Sequence, residues 1–136
     1  MSLTDRVSFQ LYSARKFPPL DNQLAVLAKI GYRNVEPYGG LFQDADTLRA
    51  ALRKHELATP TAHVGIDMFR KDVGAVARLA KGFGIAEVII PAVPNEERTQ
   101  TADGWGKLGR ELAGYQQALA AAGVDLAWHN HSFEFA

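Results

Sequence analysis

The sequence predicts an α/β domain built from repeated strand–helix units whose strands run parallel. Three observations predict it. Strand-like segments begin near Val7, Asn34, Pro60 and Glu87, at intervals of 27, 26 and 27 residues, and again at Leu126. Helix-like apolar stripes fill the gaps between them. Gly31, Gly84 and Gly123 each fall three residues before the next strand, as one unit used repeatedly requires. Units of this size join parallel strands through right-handed helical crossovers.

Each element has its own signal. Val7 to Tyr12 alternates apolar and polar residues and reads as a strand. Pro18 and Pro19 bar a helix until about Leu20, after which Leu20, Leu24, Leu27 and Ala28 share one helical face and Gly31 ends it. Asn34 to Glu36 is a short strand running into the irregular Pro37-Tyr38-Gly39-Gly40. A helix follows from Asp44 to Lys54, capped by Asp44 or Asp46, with Leu48, Ala51 and Leu52 inward. Ala58 to Val64 gives a third strand. Asp72 is expected to open a third helix that buries Val73, Val76, Ala77 and Ala80 and stops near Gly84. Glu87 to Ile90 has the apolar look of a strand covered on both faces. The last helix spaces Trp105, Leu108, Leu112, Tyr115, Leu119 and Ala122 by threes and fours, before a final strand from Leu126.

Composition narrows the function classes. A 136-residue chain, 47% apolar and 22% charged, can bury the core of one soluble domain. Fifteen Lys and Arg balance fifteen Asp and Glu, so there is no electrostatic case for nucleic acid or an anionic membrane as partner. The absence of cysteine removes disulfides, thiolate chemistry and cysteine-based zinc sites. Met1 to Arg6 lacks the apolar run of a secretion signal and no later stretch is long enough to span a bilayer, so a cytoplasmic protein is expected.

The chemistry-bearing residues gather at strand ends. Gln10, Glu36 with Tyr38, His63, and His129 with His131 all fall at or near the carboxyl ends of expected strands, the end at which parallel α/β folds bind ligands. Strand alternation puts Ala127, His129 and His131 on one face and Leu126, Trp128 and Asn130 on the other, with Glu134 just beyond. Taken singly, His63 and His129 also read as hydrogen-bonded structural histidines, Glu36 as a helix cap and Glu134 as a solvated charge. Arg15 reads equally as a surface charge or an anion clamp. Together the rim residues read as a site. The interval after Glu87 is 39 residues, and its extra stretch, Pro91 to Gln100, is either a solvated linker or a functional loop at the same end.

These residues resemble a known family. Val7-Ser8-Phe9-Gln10-Leu11-Tyr12-Ser13-Ala14-Arg15 is similar to the first strand of the sugar phosphate isomerase/epimerase family, whose barrel is xylose isomerase-like. Asn34-Val35-Glu36 with Tyr38-Gly39, the third-strand His63, and Trp128-His129-Asn130-His131-Ser132-Phe133-Glu134-Phe135 match it in order and spacing. The resemblance implies a (β/α)8 TIM barrel that binds a divalent metal (Mn, Mg, Co or Zn). The metal holds adjacent oxygens of a sugar, sugar phosphate or related hydroxy-carbonyl compound while carboxylates move a proton at the carbon beside the carbonyl. It implies catalytic roles for Glu134 and His129, with Glu134 the metal-binding carboxylate and either His131 or His129 able to take a ligand position. Gln10, Glu36, Tyr38, His63 and His131 are implied as the substrate pocket.

One departure is large. Such a barrel takes about 250 residues, and this chain carries five strands of it, without the aspartate, histidine and second glutamate that the family draws from its later strands. The expectation is therefore a single domain over residues 1–136: the N-terminal part of a barrel, five strands and four helices, truncated after the fifth strand and inactive alone. Completion by a second copy, or an open sheet, are the other outcomes. A carbohydrate substrate is the expected partner, with homo-oligomers through the open sheet edges. From a different class, the chain reads as a non-catalytic ligand-binding or self-associating half-barrel. A DNA-repair endonuclease, a relative within the same superfamily, is disfavoured by the neutral charge.

Overall fold

The computed structural model describes residues 6–98 and 101–135. Most of the N-terminal segment read for a secretion signal, and Thr99 and Gln100 of the insert, lie outside them. In order come β1 (Ser8–Gln10), α1 (Leu20–Lys29), β2 (Asn34–Glu36), α2 (Ala45–Lys54), β3 (Thr61–His63), α3 (Ile66–Phe83), β4 (Glu87–Ile90), α4 (Ala102–Ala120) and β5 (Asp125–Trp128). Every strand pairing is parallel: β1 with β2, β3 with β4, and β4 with β5. Parallel bridges Asn34↔Ala58 and Tyr38↔His63 join the two pieces of sheet into one strand order. The result is a partial barrel of five strands and four helices among the described residues.

Local chemistry sets the element ends. Asp44 caps α2 by accepting from Thr47 N–H at 3.2 Å, and Leu48, Ala51 and Leu52 are buried as their spacing requires. Gly84 closes α3 at φ 70, a left-handed conformation that costs glycine nothing. The second unit departs from this pattern, because Glu56 occupies the left-handed position after α2 at φ 55. Its N–H donates to Arg53 and that of Leu57 to Leu52, so the paired helix-ending bonds form without a glycine.

Residues on the helix side of the strands make the core. Val35, Ala62, Val88 and Ile90 are 0% exposed between sheet and helices. Each such burial stabilises the fold by roughly 1.5–3 kcal/mol for an aliphatic side chain larger than alanine. One cluster gathers on β1, β2, α1 and α2 around Leu24, Val35 and Leu48; the other gathers on β3 to β5, α3 and α4 around Phe69, Val88 and Leu119. Phe42 and Phe83 pack against both and meet edge to face at 5.4 Å, which couples the two.

Four details differ from the sequence expectation. β1 ends at Gln10, because the Gln10 side chain accepts from Tyr12 N–H and starts a 3-10 helix over Leu11–Ala14. β3 is shorter than Ala58 to Val64. Helix α3 begins at Ile66, and Asp72 instead marks a break inside it at φ −166 and ψ 96, where its carboxylate accepts from Ala75 N–H at 3.0 Å. Asp72 is thus a cap, with a helical turn before it that its sequence signal does not announce. Lastly, β4 is not covered on both faces. Val88 and Ile90 are buried, but Glu87 and Ile89 on the barrel-interior face are half-buried. Helix α4 likewise fully buries only Leu119 of its stripe, since α3 flanks it on one side only among the described residues.

Candidate active site at the carboxyl rim

Parallel pairing decides which side chains meet. Gln10 on β1 is registered with Glu36 on β2, His63 on β3 with Ile89 on β4, and Ile89 with Ala127 on β5. Registered residues share a face, so Gln10, Glu36, His63 and Ala127 all point into the barrel interior. Thr61 and His129 lie two residues from His63 and Ala127 and join the same face.

A directed hydrogen-bond chain runs through three strands. Gln10 Oε1 accepts from the Tyr12 backbone N–H, which can only donate, so the Gln10 amide nitrogen must face the other way. That Nε2 lies 2.9 Å from His63 Nδ1 and donates to it. The imidazole hydrogen therefore sits on Nε2, 3.1 Å from Glu36 Oε1. Thr61 Oγ1 donates to the second Glu36 oxygen. His63, only 8% exposed, has both ring nitrogens engaged. Burial pushes its pKa below the ordinary histidine value; Glu36 opposes that shift, and His129 and His131 add to it. His63 is held neutral.

The other rim histidines stack on from there. The His129 ring meets His63 edge-on at 5.2 Å and lies 4.8 Å from His131. His131 stacks on Phe133 at 5.6 Å with only 12° between planes. A cavity of about 380 Å³ opens beside this row, lined by Tyr12, Tyr38, Gly39, His63, Gly65, Pro91, Ala92 and His131. That volume suits a single sugar-sized molecule. Tyr12 and Tyr38 meet edge to face at 5.2 Å on its far wall. Arg15 lies 3.8 Å over the Tyr12 ring and donates to the Tyr12 carbonyl at 2.7 Å, so it braces that wall.

Gln10, Glu36, Tyr38, His63, His129 and His131 are thus brought together at one rim. Glu134 is not. Its carboxylate accepts from Trp128 Nε1–H at 3.2 Å and from His131 N–H at 2.6 Å. It lines a groove on the helix side with Trp105, Leu108, Gly109, Leu112 and Trp128. The cause is the alternation of β5, which turns Trp128 outward and draws Glu134 after it. Among the described residues no group of three or more His, Cys, Asp or Glu is placed to hold a metal ion. Both Glu36 oxygens are already hydrogen-bonded and Glu134 faces the groove, so the donors present make at most part of a metal site.

Sequence reasoning missed Thr61, Tyr12 and the lining position Gly65, while Pro91 and Ala92 belong to the insert it had left open between a linker and a functional loop. Thr61 was within reach, since it sits two residues before His63 on one strand and so on one face. No helix among the described residues is long and apolar enough to cross a membrane.

No protein-family model matches the chain, and no curated protein matches it. Solved structures do. It superposes on an AP endonuclease, family 2, from Brucella melitensis with a TM-score of 0.70 at 16% identity, over 89% of this chain and 53% of that one. A xylose isomerase-like TIM barrel protein from Mycobacterium smegmatis, in complex with magnesium, gives 0.68 at 12% identity, over 94% and 56%. The probable 3-DHS dehydratase of Bacillus anthracis gives 0.65 at 11%, over 88% and 50%. At these identities the likeness is one of fold, that of the xylose isomerase-like TIM barrels. The chain spans about half the length of the structures it matches.

Proposed function

We propose that this chain is the N-terminal part of an isomerase or epimerase that moves a proton at the carbon beside the carbonyl of a sugar, sugar phosphate or related hydroxy-carbonyl compound. The observation that carries the reading is the chain from Gln10 through His63 to Glu36, set beside a ring-lined cavity at the carboxyl rim. Rigid strands hold these groups, which is what proton transfer at a defined carbon demands. Glu36 uses one lone pair on each oxygen for His63 and Thr61 and keeps capacity to accept from a substrate hydroxyl. Tyr12, Tyr38 and His131 offer ring faces and polar edges to a sugar. His129 is exposed beside His63, its ring meeting that of His63 edge-on at 5.2 Å.

In the whole protein the reaction is metal-dependent. A divalent ion supplies the Lewis acid that makes a carbon-bound proton removable. On this chain His131 is the donor at the rim, while Glu134 would first have to leave Trp128 and the His131 N–H; the other donors come from outside the described residues, and the chain alone is inactive. Neutral overall charge supports a small-molecule substrate over nucleic acid, which filter binding at low salt checks. Assay of a full-length form against a sugar panel, with calorimetric metal titration, tests the reading. Absence of both isomerisation and metal binding overturns it.

A second reading has its own support. Neither β1 nor β5 has a strand on its outer side among the described residues, and Val26 of α1 and Ile30 at its C-cap are 57% and 66% exposed. Open edges and exposed apolar side chains suit a self-associating, non-catalytic half-barrel. Light scattering decides: a clean monomer of 14.9 kDa removes it, and a stable dimer supports it.

A further inference from the structure

We propose that Arg70 is a positioning residue for the rim site: by clamping Glu97 to Glu111 it seats Arg98 on Phe133, and Phe133 in turn fixes the His131 ring on the cavity wall. Arg70 lies in the first part of α3, before the break at Asp72. Its Nη1 and Nη2 donate to the two oxygens of Glu97 at 2.7 and 2.6 Å. Its Nε and Nη2 donate to the two oxygens of Glu111 on α4 at 2.8 and 3.1 Å. Tyr115 Oη–H adds a bond to Glu111 at 2.7 Å. Isolated surface pairs contribute little, but a guanidinium forked onto two carboxylates is the geometry in which such contacts hold a segment in place. The hydrogen bonds from Arg70 keep both carboxyls below the usual range, so the clamp is charged at neutral pH.

The clamp reaches the site through the insert after β4. Glu97 ends a 3-10 turn over Asn95–Glu97, and the next residue, Arg98, places its guanidinium 4.1 Å from the centre of the Phe133 ring. Phe133 is also flanked by Trp105, stacked at 6.4 Å. Its other neighbour is His131, nearly parallel to it at 5.6 Å, and His131 lines the cavity. The other ring against it is His129, tilted at 4.8 Å. The insert is therefore part of how the site is built, through an arginine that never touches the cavity.

The inference rests on the rim cavity being the site, but its readout does not, since it follows one ring by NMR in the intact chain. The four histidines give four sets of ring signals. Stacking on Phe133 should shield the native His131 ring protons. In Arg70→Gln and in Glu97→Ala they are expected to move downfield and broaden, His129 following by less, while His55 and His63 keep their positions. Arg70→Lys is expected to behave like Arg70→Gln, because one ammonium cannot fork onto two carboxylates. Unchanged His131 signals in either Arg70→Gln or Glu97→Ala overturn the proposal. So does a common shift of all four histidines, which would make the clamp merely structural.

Discussion

His63 Nδ1 accepts a hydrogen bond from the Gln10 side-chain amide at 2.9 Å, and that contact dictates what the imidazole can do. A protonated ring would set a second N–H against the amide N–H, and the amide cannot turn over because its oxygen is held by Tyr12 N–H. The arrangement works only with neutral His63 donating from Nε2 to Glu36.

Stability should therefore depend on pH through this residue. Folding lowers the His63 pKa, burial being the main cause. Above the unfolded value near 6.5 both states are neutral and the contribution is whole. As pH falls below that value the unfolded chain takes up the proton first, so stability declines until the folded ring protonates too. Melting from about pH 8 to about pH 5 should show a steeper loss in the native chain than in His63→Leu. At pH 8 His63→Leu should be less stable by about 1–3 kcal/mol, since it leaves Gln10 and Glu36 without their partner. A variant with the same pH slope as the native chain would count against the neutral assignment.

Glu56→Gly should stabilise the fold. Glu56 sits at φ 55, where a side chain costs about 1–2 kcal/mol, partly offset by the extra freedom glycine gains in the unfolded chain. A net gain of about 0.5–1 kcal/mol, a few degrees in Tm, is expected in thermal melts. Gly84→Ala, at φ 70, should lose about 1 kcal/mol by the same reasoning reversed.

Phe83 joins the two apolar clusters through its contact with Phe42, and Arg49 covers its other side at 4.6 Å. Phe83→Ala should cost about 3 kcal/mol and make unfolding less cooperative, because each cluster then loosens by itself. Calorimetric and van't Hoff enthalpies that still agree in the variant would refute the coupling.

Calorimetric titration of the 136-residue chain with Mn²⁺ or Mg²⁺ should give no saturable binding tighter than about millimolar. The described residues offer too few donors, and Glu134 is turned to the helix-side groove. Micromolar binding lost in His131→Ala would mean that the β5 end reorganises around the ion.

What was legible in the sequence and what was not divide along a physical line. Periodicity is local, so β2 and β4 were readable to the residue, as was the buried face of α2, while its cap was narrowed to Asp44 or Asp46 and the structure gives Asp44. Repeat length carried the parallel topology and, with it, the gathering of Gln10, Glu36, His63 and His129 at one rim. The helical turn before Asp72 carries no comparable signal, because Gly65 opens it without a side-chain cap.

The sequence by itself determined the fold class, the units and which residues could reach the rim, since strand alternation and helix periodicity are properties of neighbouring residues. Only the tertiary structure decided that His63 is a neutral donor to Glu36, that Glu134 is tied to Trp128, and that Arg70 anchors the insert. The first and third depend on side chains 27 and 53 residues apart meeting at hydrogen-bonding distance, and the second on how the chain turns after β5. Direction and distance between distant segments are set by packing, which no local pattern encodes.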